Sequence, residues 1–263
     1  MNAEGTLLVT RDGPVHTLTI NNPGKRNALT PDCYLKMAET LTELAKESAN
    51  RVVVLTGQGH NAFSAGNDIK SLPGKKPGAK SNSFKEIGLA IKAIRDFPNP
   101  IMAMLNGDAL GAGCLLAIYC DIRIAAGHIR MGMPTPKMGL VPGAEAFNRF
   151  IKVLGYNYTL ELFLTGRFYD SRTCLQMGLV NHIVERDELK SFTYEMAREL
   201  AANAPLALRH SKFMINKIAE AAPIDLESQA LFQKLVNEAA QSDDHEEAKQ
   251  AFKEKRKPRF IGQ

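Results

Sequence analysis

Ile101-Met102-Ala103-Met104-Leu105-Asn106-Gly107-Asp108-Ala109-Leu110-Gly111-Ala112-Gly113-Cys114 decides the reading of this chain. Ile101–Leu105 is an uninterrupted apolar run of strand length. Gly107–Gly113 is rich in glycine, and Cys114–Cys120 is apolar at helical length. The segment therefore predicts a buried strand, a tight turn and a buried helix, with the free N–H groups of the helix's first turn pointing out of the turn. A related pattern lies upstream. Arg51–Thr56 contains Val-Val-Val-Leu, a second buried strand, and Phe63-Ser64-Ala65-Gly66-Asn67-Asp68-Ile69 follows it as a loop. Small residues at such turns let backbone approach a ligand, and two N–H groups from two turns can form an oxyanion hole. Neither loop has the spacing of a phosphate-binding glycine motif.

Working outward, Thr6–Arg11 and Val15–Asn21 are β-rich runs around the turn residues Asp12-Gly13-Pro14 and predict a hairpin. Thr30-Pro31 predicts a capped helix start, with Leu35, Ala38, Leu41, Leu44 and Ala45 on its apolar face. Residues 83–97 return to helical periodicity, and 121–126 reads as another strand. Alternating strands and helices imply an α/β architecture with right-handed crossovers. From Asp170 the chain reads as mostly helical, with Ser171 as a cap and helices over 185–202, 207–222 and 224–241. The expected division is a core over 1–200 and a C-terminal helical segment over 201–263.

The 263 residues are 44% hydrophobic, enough for a large core. No apolar run reaches the length of a bilayer span, and Met1–Thr10 does not resemble a secretory signal. The four cysteines form no CxxC pair and no zinc pattern, so no metal is expected and a reducing compartment, the cytoplasm, is. The net charge of +5 suits a polyanionic ligand, and no RNA- or DNA-binding signature accompanies it, so no nucleic-acid partner is expected.

Taken together the motifs resemble those of the enoyl-CoA hydratase/isomerase, or crotonase, family. The matching segments are 23–29, 63–69, 107–114 with 120–122, 139–143, 164–167, 178–180 and the tail 252–257. The resemblance covers nearly the whole chain in order. It implies a crotonase-like spiral of ββα units with a helical C-terminal segment, assembled as a homotrimer or a dimer of trimers. It implies an acyl-CoA substrate, with coenzyme A as part of the substrate and no separate cofactor. The two oxyanion donors then fall on the N–H groups of Asn67 and Ala112, where Ala112 replaces the usual glycine and the Asn67 side chain is placed to add a polar contact to the acyl group. Contacts to the CoA portion are expected from Lys25, Arg26, Ala28, Ala65, Asn67, Asp68, Ile69, Lys70 and Lys255, although Asp68 also reads as structural and Lys70 and Lys255 also read as solvated surface charges.

The chain departs from the family where a hydratase carries its two glutamates. Those positions are Leu115 and Thr135, and the usual isomerase carboxylate position is Gly143. Leucine cannot transfer a proton and threonine is a poor base. The nearest carboxylate, Glu145, reads either as a displaced acid/base or as a helix-N-terminal acid. Leu115, Met133, Pro134, Thr135 and Gly143 are expected to line the acyl pocket. Enolate chemistry on an acyl-CoA is the favoured activity, with isomerisation ahead and hydration as the family default. Decarboxylation or hydrolysis of an acyl-CoA stands second, and a noncatalytic CoA- or RNA-binding protein third.

Overall fold

The computed structural model describes residues 5–68, 83–219, 226–256 and 258. The order opens with β1 (Thr6–Asp12), β2 (Val15–Asn21), α1 (Pro31–Leu44), β3 (Val52–Gly57), β4 (Ala62–Ser64) and α2 (Ser83–Asp96). It continues with β5 (Ile101–Leu105), β6 (Asp108–Leu110), α3 (Ala112–Tyr119), β7 (Ile122–Ala126), β8 (Arg130–Gly132) and α4 (Ala144–Thr165). It closes with β9 (Phe168–Asp170), α5 (Ser171–Met177), β10 (His182–Val184), α6 (Leu189–Ala202), α7 (Pro205–Ala219), α8 (Leu226–Gln241) and α9 (Asp243–Lys253).

Two sheets result. One runs β1-β2-β3-β5-β7-β10, and the other β4-β6-β8-β9. Only the hairpin pair β1–β2 of the larger sheet is antiparallel; β2–β3, β3–β5, β5–β7 and β7–β10 are parallel. Parallel strands are covered on both faces, so β3 and β5 are buried at every residue, as their unbroken apolar runs predict. The smaller sheet consists of three-residue strands, too short to show a period of two, and the sequence did not reveal it. Its first strand, β4, passes so close to Gly57, Gly107 and Gly113 that a Cβ on any of them would come within 2.4 Å of β4 backbone atoms.

Two expectations are corrected. The buried face of α1 is Cys33, Tyr34, Met37, Thr40, Leu41 and Leu44, and Leu35 is exposed, because the stripe begins one residue earlier than an all-aliphatic reading suggests. The cap of α5 is Asp170, whose side chain accepts the Thr173 N–H at 2.8 Å, while the Ser171 hydroxyl turns to the Gly127 carbonyl. A carboxylate is a stronger acceptor for the helix's first N–H groups.

The chain forms two compact units, one within Met1–Met131 and Tyr169–Ile218, the other within Gly132–Phe168 and Ala219–Gln263. No helix among the described residues is long and apolar enough to cross a membrane.

Candidate active site

The site in the first unit starts from the loop between β2 and α1. Pro23–Lys25 forms one 3-10 turn, and Arg26 (φ 52°) and Asn27 (φ 55°) are both left-handed. Asn27 tolerates this conformation better than most residues, and its buried amide fixes the loop. The amide nitrogen donates to the carbonyls of Gln58 (2.9 Å) and Ala62 (2.7 Å), and its oxygen accepts the Asn22 N–H at 3.1 Å. The loop is then stitched to the first glycine motif: the Ala65 N–H reaches the Arg26 carbonyl, the Leu29 N–H the Gly66 carbonyl, and the Asp68 N–H the Leu29 carbonyl. Ala28 and Ala65 lie within this stitching, Ala28 buried and Ala65 half-buried.

That parallel bridge between Leu29 and Asn67 uses the groups on either side of the Asn67 N–H and leaves it over. Ala112 is the first residue of α3, so its N–H has no intrahelical partner. No acceptor among the described residues takes either N–H. The two loops touch at Gly66, where φ is +97° and a Cβ would lie 3.4 Å from the Ala112 nitrogen. Two N–H donors from adjacent loops thus stand unused, one at the end of a buried helix whose dipole favours negative charge.

The charged residues of the loop are paired. The Lys25 ammonium lies 2.8 Å from Asp68, and the Arg26 guanidinium 2.9 Å from Asp108. Asp108 is buried and also accepts from the Arg130 guanidinium (2.7 Å) and backbone N–H (3.0 Å). Burial pushes its carboxyl up, but the Arg130 hydrogen bonds and the charges of Arg130 and Arg26 outweigh this and hold it below the usual carboxylate range. Lys25 and Arg26 each remain about half exposed, at 55%, so each retains open side-chain surface beside these acids.

One contact was not foreseen. The Tyr34 hydroxyl on α1 donates to the Asn67 side-chain oxygen at 2.5 Å. Tyr34 is 1% exposed and Asn67 half-buried. The signal was present: a phenol at the start of an apolar helix face needs a buried partner for its O–H.

Leu115 lies in the first unit, buried on α3. Met133, Pro134, Thr135, Gly143 and Glu145 belong to the second unit. Met133 is buried, Pro134 and Thr135 half-buried, Gly143 caps α4, and Glu145 is exposed in its first turn. That unit carries an open apolar pocket of about 580 Å³, with Thr135, Leu140, Val141, Phe147, Ile151 and Phe163 in its wall. Lys255 is exposed and left-handed (φ 54°) just past α9. Ile69 and Lys70 lie outside the described residues. His60 is exposed, as a loop residue should be.

A sequence model of the enoyl-CoA hydratase/isomerase family matches residues 10–263. The chain is 33% identical over 259 residues to a short-chain-enoyl-CoA hydratase of Clostridium acetobutylicum, covering 95% of each protein. It is similar to a solved methylmalonyl-CoA decarboxylase complexed with 2S-carboxypropyl CoA, at a TM-score of 0.91 and 28% identity across 100% of both chains. It is also similar to a solved enoyl-CoA hydratase/isomerase from Pseudoalteromonas atlantica, at a TM-score of 0.85 and 30% identity, covering 97% of this chain and 100% of that one. Its α/β architecture of two sheets and a helical C-terminal segment is therefore the crotonase fold. Family match and fold together make this chain an acyl-CoA-processing enzyme belonging to the enoyl-CoA hydratase/isomerase, or crotonase, family.

Proposed function

We propose that this enzyme forms the enolate of an acyl-CoA between the N–H groups of Asn67 and Ala112, and that its reaction is decarboxylation of a malonyl-type thioester. One observation carries the reading: two unused N–H donors stand on adjacent loops, while Leu115 and Thr135 occupy the positions where a hydratase would hold its acid and base. Decarboxylation needs no base to start. The bond from Cα to the carboxylate breaks, its electron pair passes into the thioester to make the enolate oxygen anionic, and carbon dioxide leaves. A proton then adds to Cα. Preorganised donors aimed at the developing oxyanion supply the stabilisation, on the order of 10²–10³ in rate for each. The likeness to a methylmalonyl-CoA decarboxylase at a TM-score of 0.91 supports this choice.

Lys25, Arg26, Ala28, Ala65, Asp68, Ile69, Lys70 and Lys255 are proposed to hold the CoA portion, whose binding energy positions the acyl end. Coenzyme A enters as part of the substrate, and the proposed step draws on no other cofactor. Exposed Leu206, Phe213, Met214, Ile215 and Ile218 on α7 support assembly as a homotrimer or a dimer of trimers. Four buried thiols support a cytoplasmic location.

A second reading is double-bond isomerisation with Glu145 as the acid/base, favoured by its exposure directly behind the Gly143 cap. The deciding experiment offers the purified full chain methylmalonyl-CoA, a 3-enoyl-CoA and crotonyl-CoA. Carbon dioxide release from the first supports decarboxylation. Conversion of the 3-enoyl-CoA without carbon dioxide release replaces it with isomerisation. Rapid loss of the crotonyl-CoA absorbance would overturn the argument from Leu115 and Thr135.

A further inference from the structure

We infer that Tyr34 is a positioning residue that turns the Asn67 side chain so that its NH₂ faces the acyl group, which makes the site selective for acyl-CoA thioesters bearing a carboxylate. The inference rests on the enolate reading for the location of the acyl group. Its own evidence is the 2.5 Å hydrogen bond from the Tyr34 hydroxyl to the Asn67 amide oxygen. An amide carries its oxygen and nitrogen on opposite edges, so an oxygen held by one partner fixes where the nitrogen points. Tyr34 is buried on the core face of α1, and Asn67 is half-buried at the open loop that carries the unused N–H. The nitrogen is therefore directed away from the core. No acceptor among the described residues takes it, so two N–H donors remain for a ligand. Burial, and then the neighbouring Cys33, push the Tyr34 phenol well above its ordinary value, so it keeps the proton that it donates. The geometry of the pair does not depend on that shift.

A donor pair beside an oxyanion hole distinguishes substrates. It is satisfied by a carboxylate on Cα, and it is left unpaired by a plain alkyl chain, at a cost in affinity.

The test is a binding measurement that needs no turnover. Two thioethers are compared on the full chain: 2S-carboxypropyl-CoA, and propyl-CoA, which lacks only the carboxylate. The wild-type protein is expected to prefer the carboxylate ligand. Tyr34→Phe should reduce that preference about 5–10-fold and leave propyl-CoA within about two-fold, in the range of a single neutral hydrogen bond. Asn67→Ala should abolish the preference, and adding Tyr34→Phe to it should change nothing further. Should Tyr34→Phe fail to fold, Asn67→Ala, which removes the NH₂ without adding a charge, carries the test, and a carboxylate preference retained in it overturns the inference. An unchanged preference in Tyr34→Phe, equal losses for both ligands, or a wild-type protein indifferent to the carboxylate would each overturn the inference. A carboxylate preference governed by Tyr34 without carbon dioxide release would sink the decarboxylase reading alone. Carbon dioxide release with a preference indifferent to Tyr34 would sink only the positioning role.

Discussion

Gly66 faces Ala112 across the two loops so closely that a Cβ on Gly66 would stand 3.4 Å from the Ala112 nitrogen and 2.9 Å from the Leu110 carbonyl oxygen. The φ of +97° there is one that L side chains rarely adopt. Gly66→Ala should therefore destabilise the fold by about 1–3 kcal/mol through strain. A fall in melting temperature of roughly 2–4 °C per kcal/mol would register it. Turnover should fall further than stability explains, because the Leu110 backbone must move and Ala112 with it.

Ala112 is the first residue of α3, the helical position at which proline is tolerated because the N–H is already without a partner. Ala112→Pro should leave the melting temperature nearly unchanged while lowering kcat on the order of 10²–10³-fold. Retained kcat in a folded variant would show that this N–H is not an oxyanion donor.

Asp108 is held ionised by Arg130 and Arg26 against the opposing effect of burial. Its depressed carboxyl contributes stability that is full above the unfolded-state value near 3.8 and is lost as pH falls through the lower folded-state value. Asp108→Asn should cost on the order of 1–3 kcal/mol at neutral pH. Below about pH 4 the gap between wild type and variant should close, and denaturant titrations at pH 7 and pH 3 would show it.

Burial pushes the Cys33 and Cys174 thiols up to about 12. A thiolate is the reactive species, so both should resist iodoacetamide at pH 8 in the native protein and react once it is unfolded. Mass spectrometry of the alkylated peptides reads the difference.

Glu145 separates the two proposed reactions. Glu145→Gln should leave carbon dioxide release within about two-fold if decarboxylation is the reaction, since no base is required to start it. Loss of 3-enoyl-CoA conversion with CoA affinity retained would assign the acid/base role to Glu145 instead.

The larger sheet was legible because β3 and β5 are largely apolar runs and Asp12-Gly13-Pro14 marks the β1–β2 hairpin, and α1 because Thr30-Pro31 announces it. The motifs singled out Asn67 and Ala112 but not that their loops meet at Gly66. The smaller sheet was not legible, since three residues carry no periodicity. Nor were the pairings of Lys25 with Asp68, or of Arg26 and Arg130 with Asp108. The Arg26 and Asp108 partners are 82 positions apart, and only the fold brings them together. Tyr34 escaped for another reason: the aliphatic stripe was read from Leu35 onward, and although a buried phenol calls for a partner, only the fold shows that this partner is Asn67.

The seating of β4 against Gly57, Gly107 and Gly113 bears on how the enzyme is made. A strand fitted against three glycines from later and earlier parts of the chain cannot settle until β3, β6 and α3 have come together around it. During refolding, then, catalytic competence should arrive with the last cooperative step and not with early secondary structure. A partly folded chain, even one rich in helix, would not yet have brought the loops of Asn67 and Ala112 together.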